Sequence, residues 1–126
     1  MRAVDTNVLV RLVARDDSRQ VMSGEAFIEK GAWVPLLALA EATWVLASVY
    51  GRSAAQLADS IEVLLHHRDL TLQDADVVAA ALDAFRNRRS VGFSDCLMLE
   101  IARKAGHLPL GTFDRGLGRC EGAQRL

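Results

Sequence analysis

The sequence predicts an α/β protein, a three-layer α/β/α sandwich on a short central parallel sheet. Two observations lead there. Brief apolar runs of strand character recur at residues 2–4, 33–35, 70–72 and 108–110. Between them lie stretches whose apolar residues repeat at helical spacing. Strands that alternate with helices pair in parallel, with the helices laid on the faces of the sheet. The 126 residues make one domain, residues 1–126, long enough to bury roughly two-thirds of the unfolded chain's surface.

Arg2 to Val4 is the first strand, and Asp5 stands where it must stop. Thr6-Asn7 hands the chain to a helix with a stripe of Val8, Leu9, Leu12 and Val13, ending near Arg15-Asp16-Asp17. Ser18 can cap a second helix that turns Val21, Met22, Ala26, Phe27 and Ile28 inward, with Glu25 and Glu29 on its wetter side. Gly31 stops it, and Trp33-Val34-Pro35 is the second strand. A third helix carries Leu37, Ala40, Trp44 and Val45 to a stop at Gly51. Ser53 and Gln56 have the spacing of a capping box and open a fourth helix that runs to about His66. Leu70-Thr71-Leu72 is the third strand, and Asp74 can cap a fifth helix over 75–88 with Val78, Ala81, Leu82 and Phe85 on its apolar face. Gly92 marks a turn and Asp95 opens a sixth helix. Leu108-Pro109-Leu110 is the fourth strand, its proline favouring an edge or a strand start, and the C-terminus can supply one last short strand.

Composition excludes several classes. The chain is 51% hydrophobic and 25% charged, the balance of an ordinary globular fold. Its longest apolar runs, such as 34–40, fall far short of the ~20 residues of a membrane span. Asp5, Asn7, Asp16 and Asp17 interrupt any signal-peptide core, so the expected location is cytoplasmic. Cys96 and Cys120 lack C-x-x-C spacing and are expected as free thiols. A net charge of −1 leaves no overall basic footprint, yet the cations are lopsided, thirteen Arg against Lys30 and Lys104. Arg grips phosphate in bidentate fashion and stacks on bases, which suits an RNA ligand; a coding preference for Arg explains the bias equally well.

Four acids carry the chemistry. Asp5 follows the first strand and Asp114 the fourth, Asp95 begins a helix, and Glu41 lies in the first turns after the second strand. In a parallel sheet, strand carboxyl ends and the helix N-termini that follow share one edge, where ligands bind. Asp5 and Asp95 also have structural uses as helix caps or first-turn acids. Glu41 is harder to place. Leu39, Ala40, Ala42, Trp44, Val45 and Leu46 make its helix apolar on most sides, so the expectation is a buried or half-buried carboxylate that needs a cation. Clustered carboxylates repel by about 4 kcal/mol at ~4 Å and an effective dielectric of 20. One or two Mg²⁺ or Mn²⁺ ions suit an all-oxygen site, and can activate water for in-line attack on a phosphodiester.

The acids sit in four segments: Val4-Asp5-Thr6-Asn7-Val8-Leu9, Leu39-Ala40-Glu41-Ala42-Thr43-Trp44-Val45-Leu46, Gly92-Phe93-Ser94-Asp95-Cys96-Leu97-Met98 and Thr112-Phe113-Asp114-Arg115. In this order and spacing the chain resembles PIN-domain ribonucleases, and among them VapC-type toxins of bacterial toxin–antitoxin pairs. The resemblance covers essentially the whole chain. It implies Mg²⁺ or Mn²⁺ held chiefly by Asp5 and Asp95, with Asp114 and Glu41 completing the acidic site and Thr6, Asn7 and Thr112 supporting it. It implies endonucleolytic RNA cleavage, a small antitoxin as partner, and a homodimer. Pro35 stands where many members carry Ser or Thr, and Cys96 where Ala is usual; Cys96 is small enough to pack as core.

Arg86, Arg88 and Arg89, shortly before Asp95, are candidates to guide an RNA backbone, as is Arg115; a solvated helix end explains the first three as well. His66, His67 and His107 read as surface or capping residues, and Trp33, Trp44 and Tyr50 as core or interface aromatics. Two other functions fit the acids. A non-catalytic binding module could dock a basic peptide in the acidic pocket. An aspartyl phosphatase of haloacid-dehalogenase type also opens with a strand-end Asp, but wants a second Asp where this chain has Asn7.

Overall fold

A computed structural model describes residues 1–88 and 90–126 of the chain. Arg89, one of the candidate RNA contacts, lies outside the described residues. Helices alternate with short strands, every strand pair is parallel, and the chain divides into two compact units, Met1–Ala75 and Asp76–Leu126.

The first unit is built on a sheet of β1 (Arg2–Ala3), β2 (Ala32–Val34) and β3 (Leu70–Leu72), in that order. Arg2 stands opposite Ala32, and Ala32 opposite Leu70. The Val4 N–H donates to Trp33 O at 3.1 Å, which carries the pairing one residue past β1 and leaves Asp5 at its end. The strands are short because each meets a helix start at once. Asp5 closes the first, its Oδ1 accepting the Val8 N–H at 3.3 Å to cap α1 (Thr6–Ala14).

The second helix, α2 (Ser18–Ile28), is capped by Asp17, not by Ser18: the Asp17 carboxylate accepts the Gln20 N–H at 3.1 Å. Its inward face is also turned from the expected one. Val21 and Ile28 are buried, whereas Met22, Ala26 and Phe27 are exposed. Gly24 lies on the same side as Val21 and Ile28, where a Cβ would sit 3.8 Å from Val8 and Leu12, an ordinary contact distance.

Helix α3 (Leu36–Ser48) starts at Pro35, which offers no side-chain cap. Gln73 supplies one from beyond β3: its Oε1 accepts the Leu36 N–H at 2.9 Å while its own N–H donates to Val34 O at 2.8 Å. Leu39, Ala42, Thr43 and Leu46 are buried, while Leu37 and Trp44 are 70% and 66% exposed. Trp44 is therefore not a core residue, and the helix is apolar on an open face as well as a closed one. Helix α4 (Ala54–Leu65) opens with the expected capping box, Gln56 N–H to Ser53 Oγ at 3.2 Å and Ser53 N–H to Gln56 Oε1 at 2.9 Å. Helix α1 packs on α2 and α3, and α3 on α4. A polar clasp closes the far ends of α1 and α3. Asp16 Oδ1 lies 3.0 Å from Arg11 Nη1, and the Tyr50 hydroxyl donates to Asp16 Oδ2 at 2.8 Å while accepting from Arg11 at 2.8 Å.

The second unit begins with α5 (Ala75–Asn87), preceded by Asp74 in the left-handed region (φ 47°) and not in the extended backbone of an ordinary cap. Helix α6 (Phe93–Ala105) starts at Gly92, so Asp95 falls in its first turn and does not open it. Phe85 and Phe93 meet edge to face at 5.9 Å, and Lys104 pairs with Asp76 at 3.1 Å. Strands β4 (Leu110–Thr112) and β5 (Ala123–Arg125) pair in parallel around a 3₁₀ turn, Leu117–Arg119. The expected fourth strand thus lies two residues later. Pro109 has no N–H to give, and the ladder begins when Leu110 donates to Gly122 O at 2.9 Å. Among the described residues no helix is long and apolar enough to cross a membrane.

Candidate active site

In the first unit, Asp5 and Glu41 are both exposed. The expectation that Glu41 is buried fails, because the apolar residues around it are divided between a covered face and an open one that Glu41 shares with Leu37 and Trp44. Glu41 still has a fixed place. The Thr6 hydroxyl donates to its Oε2 at 2.8 Å, joining the first turn of α1 to α3 across 35 residues of sequence. Oε1 of Glu41 and Oδ2 of Asp5 carry no hydrogen bond among the described residues. Asn7 lies on a groove of about 360 Å³ between α1 and α2, with Val8 and Phe27.

In the second unit, Asp114 sits on a tight turn after β4. Its N–H donates to Thr112 Oγ1 at 3.0 Å, and its Oδ2 accepts the Leu117 N–H at 2.7 Å. Gly116 makes room for that fold-back, since a Cβ there would lie 3.3 Å from Asp114 Oδ2. Asp95 is half-buried near the start of α6. Burial pushes its carboxyl above the ordinary aspartate value, and the negative charge of Asp114 pushes it the same way. A half-buried acid with a like charge beside it asks for a cation. Among the described residues Asp95 makes no side-chain hydrogen bond, and Asp114 keeps Oδ1 uncommitted.

The donors are all hard oxygens, at least one open on each acid, which is the chemistry that Mg²⁺ or Mn²⁺ accepts. No group of three or more His, Cys, Asp or Glu stands gathered as a metal cluster among the described residues. Cys96 is buried beside Asp95, its thiol pushed up to about 11 by burial, and it packs as core.

The sequence profile of the PIN domain matches residues 2–122. The chain belongs to the PIN-domain family. No curated protein and no solved structure matches it. PIN domains are in general metal-dependent nucleases that act on RNA, and the mixed α/β fold with short parallel strands is the one such a domain takes. The match runs through all four acids, from the cap residue Asp5 to Asp114 on its glycine-relieved turn.

Of the candidate RNA contacts in this PIN domain, Arg88 and Arg115 are exposed and without an ion pair among the described residues. Arg86 is half-buried and already engaged within the protein. His66 ends α4, His67 Nδ1 accepts the Asp69 N–H at 3.0 Å, and His107 is exposed. Sequence reasoning missed the surface around Asp114: Phe113 is 81% exposed, and no periodicity inside a three-residue strand could have indicated it.

Proposed function

We propose that this PIN domain is a metal-dependent endoribonuclease and the toxin of a toxin–antitoxin pair. Asp5, Glu41, Asp95 and Asp114 hold Mg²⁺ or Mn²⁺, as one or two ions. The observation that carries the reading is the match of the PIN profile across all four acids, supported by a half-buried Asp95 whose carboxylate has no hydrogen-bond partner among the described residues. Bound there, the ion supplies activation of water and charge neutralisation at a phosphodiester. The protein's own groups do the positioning. The Thr6 hydroxyl holds Glu41 in one orientation, the Leu117 N–H and Thr112 hydroxyl hold Asp114, and the Val8 N–H holds Asp5. Thr6, Thr112 and the neighbouring Asn7 are thus supporting residues. Arg88 and Arg115 are exposed cations for an RNA backbone, and Arg86 and Arg89 are proposed for the same role from their place in the sequence.

Apolar surface on the first unit supports protein partners, a small inhibitory antitoxin and a second copy of the chain. Leu37 and Trp44 stand open on α3, and the groove beside Asn7 is lined by Val8 and Phe27.

The test is cleavage of total RNA by the purified protein with Mn²⁺ or Mg²⁺. Cleavage should stop with chelator and in Asp5→Asn. Equal cleavage by Asp5→Asn overturns the assignment. A protein that binds no divalent ion by calorimetry is the docking module instead.

A further inference from the structure

Phe113 presents a bare phenyl ring beside a carboxylate. It is 81% exposed, directly after β4 and directly before Asp114. A loose loop does not account for this. The residue before it accepts at its carbonyl from Leu126 N–H at 2.8 Å, and the residue after it is held through its N–H, its carboxylate and its carbonyl, the last accepting from Gly118 N–H at 2.9 Å. The ring is thus mounted on a fixed turn and pointed outward. On the other side of Asp114 stands Arg115, exposed, its guanidinium without a hydrogen bond or ion pair among the described residues. Arg119 and Arg125 are in the same condition on the same small segment, where the 3₁₀ turn lies so close to β5 that a Cβ on Gly118 would meet Arg125 Cβ at 2.8 Å.

An exposed aromatic ring flanked by uncommitted guanidiniums matches the two halves of a nucleotide. A base offers a π face whatever its sequence, and a phosphate offers a bidentate anion. A protein covering Phe113 would have to bury or pair these guanidiniums, whereas a nucleic-acid strand requires them. Bases are free to stack on a side chain only where they are unpaired.

We propose that Phe113 and Arg115 form a nucleotide clamp around Asp114, the ring stacking on a base next to the scissile phosphate of single-stranded RNA and the guanidinium holding a neighbouring phosphate. This rests on the nuclease reading and deepens it: Phe113 and Arg115 are the positioning residues of its substrate.

The experiment measures binding of a fluorescein-labelled single-stranded RNA of mixed sequence to the full chain carrying Asp95→Asn, so that nothing is cut. In that background Phe113→Ala should weaken binding by about tenfold or more, the scale of one lost stacking contact. Phe113→Trp should restore it and Phe113→Leu should not. Arg115→Gln should weaken binding and lower the salt slope by about one. Duplex RNA should compete poorly. In the active protein, Phe113→Ala should raise KM far more than it lowers kcat. Binding by Phe113→Ala equal to that of its parent overturns the clamp, as does full rescue by Leu. Conversion of a dimer to a monomer by Phe113→Ala with RNA affinity intact also overturns it, by giving the ring to a protein interface. A parent that neither binds RNA nor, with Asp95 restored, cleaves it overturns the nuclease reading itself.

Discussion

Asp16 and Asp95 are the same side chain in two regions, and folding moves their proton affinity in opposite directions. Asp16 accepts the Tyr50 hydroxyl and lies against the Arg11 guanidinium, which together hold its carboxyl below the ordinary value. Asp95 is partly buried, has no donor among the described residues, and faces the charge of Asp114, which holds its carboxyl above that value. The first acid is placed to stabilise the fold and the second is not. A charge that the fold supports has a structural reason to exist; a charge that the fold penalises has to be explained by something bound.

The sharpest way to break that contrast is Asp95→Asn. Cleavage should fall by about a thousandfold, the scale on which groups that stabilise transition-state charge act. Stability should change the other way. A carboxyl whose folded value is raised binds more protons in the native than in the unfolded state, so stability falls as pH rises through that window. At neutral pH without divalent ion, Asp95→Asn should therefore melt at a higher temperature than the parent. A lower melting temperature would mean that Asp95 supports the fold after all.

A smaller effect is expected at Thr6. Its hydroxyl orients Glu41, so Thr6→Val should leave the fold intact and weaken Mn²⁺ binding by about tenfold, as the loss of a ligand's supporting hydrogen bond does, read by calorimetry. Unchanged affinity would separate Glu41 from the metal. The smallest effect belongs to Tyr50→Phe. The lowered value of Asp16 gives stability that is present above the ordinary aspartate value of 3.8 and is lost as pH falls below it. The variant should be less stable than the parent at neutral pH, converge with it in acid, and cleave RNA normally. A gap that persists in acid would show that Tyr50 acts through packing and not through Asp16.

The first three strands and the capping box were legible because each rests on a local rule: strand character before a helix, or Ser and Gln three residues apart. The places of the four acids in the fold were legible for a similar reason, since each lies at a strand end or in the first turns of a helix. What the sequence concealed was which side of an apolar helix stays open. Leu37, Glu41 and Trp44 share a face at helical spacing, and apolar residues on the opposite face made the whole helix read as buried. The rotation of α2 was hidden for a different reason. Gly24 falls on the buried side, next to Val8 and Leu12, and a residue without a side chain adds nothing to an apolar stripe in the sequence. The surface around Phe113 was invisible because exposure is a property of the fold and not of the residue.

Gln73 has a consequence for the order in which the first unit of this PIN domain can come into being. The helix that carries Glu41 begins at Leu36, yet the acceptor for its first N–H is supplied 37 residues downstream, by a side chain whose own backbone is tied to Val34. A growing chain that has emitted α3 but not β3 holds the acid on a helix with an open end. The same glutamine that completes the sheet's third strand completes that helix. During synthesis, the helix that bears the acid receives this cap only once residue 73 has been added.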